Sequence, residues 1–255
     1  MPGLNLTAIV LRRIEFGDYD LIVTLYSKEN GKISAIAKSA KKSMKRFPGI
    51  LEPFSELDVV LSKPKGKGMP ILKEATLVNP FFRIRENIEK TAYASYWMEM
   101  IYLWMADGAH QYDLYHLAKY VLSELNAEKR SGAMLSILFQ MRFLSLAGFG
   151  PNFNECRCCN TQLDKITRQT VYADLPKGGV ACENCAPQIR TRMPISKGTL
   201  KQMLWLDSGS LERANRVRFA PLAIREGLLF LEAFVPYHLG KKPRSLKVLR
   251  AVRKL

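Results

Sequence analysis

Two cysteine pairs constrain this chain more than any other feature. Cys156 and Cys159 are separated by two residues, as are Cys182 and Cys185, and Cys158 is the only other thiol. A two-residue spacer lets a tight turn aim two sulfurs at one ion, and two such turns supply the four thiolates of a tetrahedral zinc site. The segment between the pairs, Asn160 to Ala181, is polar and turn-rich around Asp174-Leu175-Pro176-Lys177-Gly178-Gly179. It reads as too thin in apolar residues to hold itself together, so a metal is expected to do so. Cys158 falls on an unusual ligand step and is left outside the site. Disulfides or an iron–sulfur cluster are the competing uses of the thiols. Four thiolates leave no open coordination position, so the predicted ion is structural.

At 255 residues with 47% hydrophobic side chains, the chain can bury one large or two modest cores. No apolar run reaches membrane-spanning length. Met1 to Val10 lacks the basic-then-apolar order of a secretion signal, which predicts a cytoplasmic protein. The formal net charge is +16. It is segregated: 13 basic against 8 acidic residues in 1–80, 11 against 11 in 81–185, and 15 against 4 in 186–255. Such a field attracts a polyanion.

Residues 4–79 read as five short strands, at 6–14, 21–26, 33–37, 57–61 and 71–78, with Asn30-Gly31 as a hairpin turn. Five strands in under 80 residues predict a small closed barrel over 1–80. Between the third and fourth strands lies a basic stretch with Lys38, Lys41, Lys42, Lys45 and Arg46, followed at once by Phe47. Lysine and arginine neutralise phosphates and an aromatic ring stacks on bases. Lys65 and Lys67 make a second basic loop, Arg12 and Arg13 are weaker candidates, and Phe16, Tyr19 and Tyr26 are candidate stacking rings.

Pro80 ends the barrel, and residues 81–255 read as a helical domain with the cysteine segment inserted at about 152–190. Helices are expected at 82–107, 111–126, 131–147, 196–206, 209–215 and 221–238, with Ser196 as a cap and Pro221 in a first turn. The aromatic residues of 82–107, among them Tyr93, Tyr96 and Trp97, wrap most of their helix and read as core. Arg190, Arg192, Lys197, Lys201, Arg213, Arg216 and Arg218 follow the cysteines, and Lys241 to Lys254 form a basic closing flank. Catalytic machinery is not expected. There is no glycine-rich phosphate loop, His110, His116 and His238 are scattered, and Asp18 and Asp20 sit on a turn.

The chain resembles the bacterial DNA repair RecO family over essentially its full length. The resemblance is carried by Gly17 to Leu25, Gly31 to Lys38, Leu51-Glu52-Pro53-Phe54, Glu74-Ala75, Leu146 to Pro151 and Gly178 to Cys182. It implies an oligonucleotide-binding (OB-fold) barrel followed by an all-α domain carrying a zinc-ribbon-like segment with four cysteine ligands. It also implies recombination mediation in the RecF pathway: binding single- and double-stranded DNA, annealing complementary strands, working with RecR, engaging the single-strand-binding protein (SSB), and helping to load RecA. Ser39 and Asn160 stand where glycine is usual in the family, and Cys158 is an added thiol.

The mechanism expected is binding without bond-making. Two rival readings share the charge pattern: an assembly scaffold whose basic surface meets acidic proteins, and an RNA-binding barrel protein.

Overall fold

The computed structural model describes residues 3–43, 45–62, 66, 68–190, 192–214 and 218–253. They form two compact units, one containing residues up to Glu128 together with the chain from Lys247 on, the other Lys129–Leu246.

The first unit is built on five strands: β1 Leu4–Phe16, β2 Asp20–Ser27, β3 Gly31–Ala37, β4 Glu56–Leu61 and β5 Leu72–Asn79. Their order is β3-β2-β1-β4-β5, and every neighbouring pair is antiparallel. β3 and β5 meet through a parallel bridge from Ile36 to Ile71, where the Ile36 amide donates to the Pro70 carbonyl at 2.9 Å. That single bridge leaves the sheet short of the closed barrel expected, in the five-stranded, partly open arrangement of an OB-fold. Alternation explains the interior. Leu6, Ala8 and Val10 of β1 pack with Val23 and Leu25 of β2, Ala35 and Ala37 of β3, Leu57, Val59 and Leu61 of β4, and Leu72 of β5.

Helices α1 Phe82–Arg85, α2 Ile88–Trp104 and α3 Tyr112–Asn126 follow the strands in this unit. The single run expected over 82–107 breaks at Glu86-Asn87. There the Asn87 side chain accepts from the Lys90 amide and starts a new helix. Tyr93, Tyr96 and Trp97 are buried. α3 is fastened to the barrel by Glu56, which is buried at the start of β4. One of its carboxylate oxygens accepts from the Tyr115 hydroxyl at 2.7 Å and lies 2.7 Å from Lys119 Nζ. Burial and then the hydrogen bond to Glu56 push the Tyr115 phenol well above its usual range.

The second unit holds α4 Gly132–Leu146, α5 Lys197–Asp207, α6 Leu211–Ala214 and α7 Pro221–Leu239, with α4, α5 and α7 packed together. Ser196 caps α5 by accepting from the Thr199 amide, and Pro221 opens α7. The cysteine segment has more internal structure than its polar composition suggests. β6 Asn152–Cys156, β7 Thr170–Asp174, β8 Gly179–Ala181 and β9 Pro194–Ser196 form a sheet in the order β6-β8-β7-β9. Phe153, Leu163, Val171, Ala173, Val180 and Ile195 are buried, and Phe153 meets Phe230 of α7 edge-on at 5.2 Å. A few well-spaced apolar residues suffice because the helices supply the other half of their core.

The basic closing flank is not a plain tail. Arg244–Val252 is a helix, α8, with Leu246 and Leu249 buried. Lysine and arginine recurring among apolar residues there mark an amphipathic helix.

The β2–β3 turn has one demanding position. Gly31 has φ +64°, and a Cβ there would lie 2.0 Å from the Ala109 carbonyl oxygen. Lys32 holds the same junction, with Nζ 3.1 Å from the Tyr102 carbonyl and 3.3 Å from Asp107. Gly31→Ala is therefore expected to cost about 2 kcal/mol or more in chemical denaturation. A loss below about 0.5 kcal/mol would show that the turn and the Ala109 segment separate freely.

Candidate metal centre and nucleic-acid interface

β6 ends at Cys156 and β8 ends one residue before Cys182, and the two strands lie side by side in parallel. Gly179 permits this, since a Cβ there would lie 2.3 Å from the Asn152 carbonyl oxygen. After Cys156 the chain turns back with the Asn160 amide donating to the Cys156 carbonyl at 2.9 Å. After Cys182 the Cys185 amide donates to the Cys182 carbonyl at 3.1 Å. Asn160 has φ +59°, a left-handed conformation that asparagine tolerates better than most residues.

The two turns bring the sulfurs of Cys156, Cys159, Cys182 and Cys185 within 4.8 Å of one another, and Cys159 and Cys182 are 3.8 Å apart. Four sulfurs about 2.3 Å from a shared tetrahedral ion are separated by about 3.8 Å, so this donor set fits a metal ion. The surroundings prepare the sulfurs unequally. Hydrogen bonds from the Thr161 hydroxyl and amide hold the Cys159 thiol down to about 6. Burial opposes ionisation of Cys156, but the amides of Cys159, Cys182 and Cys158 outweigh it and lower that thiol too. Burial pushes Cys182 and Cys185 up. A dication removes that asymmetry by favouring all four thiolates. Cys158 points elsewhere, with Lys177 Nζ 3.3 Å and Asp174 3.8 Å from its sulfur.

The basic stretch after β3 is anchored on the β1–β2 turn. The Lys41 amide donates to the Tyr19 carbonyl at 3.0 Å and the Ser39 amide to Asp20 at 2.7 Å. Ser39, at φ +53°, takes the left-handed conformation for which glycine is better suited. Asp20 is thereby occupied as a turn anchor. The cations divide into two sets. Lys41 pairs with Glu15 and Arg13 with Glu52, each at 2.7 Å. Arg12 lies 4.7 Å from the centre of the Tyr102 ring. Lys38, Lys42, Lys45 and Arg46 are exposed and have no carboxylate partner among the described residues, although Arg46 also donates to the Lys38 carbonyl at 2.7 Å. Lys42 Nζ sits 3.5 Å from the centre of the exposed Tyr19 ring.

Phe47 does not serve as a stacking platform, because it is 3% exposed and packs into the barrel core. Tyr26 is likewise buried, with its hydroxyl donating to the Gln111 carbonyl. Phe16 and Tyr19, 48% and 46% exposed, are the rings available at this edge. Lys65 and Lys67 lie outside the described residues. In the second unit Lys197 is buried and donates to the Ile166 carbonyl, and Lys201 pairs with Asp164. Neither is a free cation. Arg216 and the side chain of Arg213 lie outside the description.

One feature of this edge is invisible to composition. The β1–β2 ladder passes from Val10 paired with Leu25 to Arg12 paired with Thr24, so Leu11 is an extra residue. Such a bulge reverses which side chains face inward. Beyond it Arg13 is opposite Val23 and Glu15 opposite Leu21, both core residues. Two charged side chains therefore sit on the inner face where β1 outruns the core, and a cleft of about 370 Å³ opens between them and residues 40–51.

Two sequence profiles match: "Recombination protein O N terminal" over residues 1–81 and "Recombination protein O C terminal" over residues 85–247. Among similar proteins, the DNA repair protein RecO of Desulfosudis oleivorans is 47% identical over 99% of both chains. That of Desulfatibacillum aliphaticivorans is 40% identical over 100% of this chain and 99% of its own. That of Syntrophus aciditrophicus is 31% identical over 96% of this chain and 95% of its own.

Replacing Cys159 or Cys182 by serine is expected to abolish stoichiometric metal content in elemental analysis and to lower the melting temperature by on the order of 10 °C. Cys158→Ser should leave both nearly unchanged. Metal loss caused by Cys158→Ser would contradict the four-thiol assignment.

Proposed function

The chain belongs to the recombination protein O family, and from that premise we propose that it is a DNA repair and recombination mediator that works by holding nucleic acid rather than transforming it. It binds single- and double-stranded DNA and anneals complementary strands. With RecR it helps load RecA onto single strands covered by SSB. It acts in the cytoplasm, at the nucleoid. The partner assignments rest on family membership. The DNA assignment is supported by one observation above others: Lys38, Lys42, Lys45 and Arg46 stand solvent-facing, without a carboxylate partner among the described residues, on a stretch anchored to the β1–β2 turn, where Lys42 lies over the exposed Tyr19 ring.

The chemistry of annealing needs little more than this. Two strands repel through their phosphates, and cations that neutralise some of those charges lower the repulsion and release condensed counterions. Exposed rings add sequence-tolerant stacking on unpaired bases. Lys41 and Arg13, already tied to Glu15 and Glu52, contribute less than the other four cations.

Zinc is the ion proposed for Cys156, Cys159, Cys182 and Cys185, because four soft thiolates in tetrahedral reach suit it. It supplies rigidity to the four-stranded insert and no reaction step.

Fluorescence anisotropy with a labelled single strand across a salt series tests the reading. Each single-strand phosphate contact contributes a slope of about 0.7 in log affinity against log salt, so replacing Lys38, Lys42, Lys45 and Arg46 by alanine should reduce the slope by about 3. The folded variant should also bind more weakly at low salt. Equal affinity and slope for both proteins would remove the barrel edge as the DNA contact. Binding that prefers an acidic peptide or an RNA strand over single-stranded DNA would replace the mediator reading with one of its rivals.

A further inference from the structure

The cleft created by the β1 bulge has a composition suited to one ligand class. We infer that it takes a single unstacked nucleobase of the bound strand; the inference rests on the DNA-binding reading above. Its volume, about 370 Å³, falls in the range that seats one small ligand. Leu21, Phe47 and Leu51 supply apolar surface, and Arg13, Glu15 and Lys41 supply polar groups.

A nucleobase has the same two parts, flat apolar faces and an edge of hydrogen-bond donors and acceptors. Glu15 is an acceptor for the exocyclic amino group of adenine or cytosine, and Arg13 and Lys41 are donors to ring nitrogens and carbonyl oxygens. The rim therefore offers both kinds of partner, which an incoming aromatic protein side chain would leave unused. The surroundings point the same way. Lys42, Lys45 and Arg46 belong to the stretch that forms one wall, so cations stand where the phosphates flanking a seated base would pass. Glu15 and Lys41 are paired at 2.7 Å, and a base edge can insert into that pair by exchanging one hydrogen bond for two.

The consequence is a preference built into the shape. A single strand presents a base at the cost of stacking alone, whereas a duplex must also break a pair. A strand held this way is kept locally unstacked, which leaves its neighbouring bases open to a complementary strand.

The test uses a single-stranded oligonucleotide carrying one 2-aminopurine between purines, which quench it while stacked, excited outside the tryptophan band. With the full chain, emission is expected to rise several-fold on binding, and the same probe inside a duplex should rise far less. Leu21→Trp fills the cleft from its floor. It should lose most of the rise and bind about three- to tenfold more weakly, with the salt slope retained because the phosphate contacts remain. Should that variant fail to fold, photo-crosslinking of a 5-iodouracil strand to the unaltered protein gives a second readout, with products expected in peptides containing residues 13–21 or 40–51.

Salt-dependent binding with no rise in emission, a rise that survives in Leu21→Trp, or crosslinks confined to other peptides would each overturn the inference while leaving DNA binding intact. Absence of DNA binding would overturn both. A shift of the Leu21 methyl resonances with N-acetyl-phenylalaninamide but not with deoxyadenosine would assign the cleft to a protein side chain instead.

Discussion

A barrel of five short strands has room inside for a single layer of side chains, and that constraint places everything else in the first unit. Leu6, Ala8 and Val10 meet Val23, Leu25, Ala35, Ala37, Leu57, Val59, Leu61 and Leu72 in that layer. Each strand has only two faces, so what does not fit inward must face solvent or a helix. The charged stretch after β3 cannot enter, and it folds back over the open end with Phe47 as its anchor in the core. The bulge at Leu11 follows from the same constraint. A strand as long as β1 outruns the core, and reversing its phase puts Arg13 and Glu15 on the inner face at the open end, opposite Val23 and Leu21.

Charge is then sorted by geometry. Around Asn5, Thr7, Asp58 and Glu74 the barrel carries an acidic groove that also includes Glu29, whereas on the opposite edge Lys38, Lys42, Lys45 and Arg46 have no carboxylate partner among the described residues. A net charge of +16 would attract polyanions to any part of a uniformly basic surface. An acidic groove on one side of the barrel and free-standing cations on another confine that attraction. In the second unit the same economy holds the cysteine segment. A small sheet shares its core with α7, and four thiols gather at its end, two of them already inclined to ionise.

Much of this was legible in the sequence, for identifiable reasons. Period-two alternation marks the strands because one face of each must be apolar, Asn30-Gly31 marks a turn that tolerates positive φ, and the CxxC spacing marks the thiol cluster. What escaped depends on distant neighbours. The sheet inside 152–196 is held by apolar residues too sparse to register without Phe230 behind them. Phe47 looks like a stacking ring beside its lysines until the chain turns inward. Lys197 looks like a free cation until the Ile166 carbonyl is seen beside it. The closing helix hides its apolar side among arginines, and a bulge has no local signature in a run such as Val10-Leu11-Arg12-Arg13. Ser39 and Asn160 both take left-handed backbone, the conformation for which glycine is best suited.

Everything proposed for DNA turns on the barrel edge being the surface that meets it. Hydrogen–deuterium exchange of the intact chain, with and without a saturating single strand, probes this without altering any residue, because it reports protection along the whole backbone. Slowed exchange is expected in 12–20 and 38–49, with little change in 56–61 and 72–79. Protection concentrated in 186–253, with 12–20 and 38–49 unchanged, would contradict it.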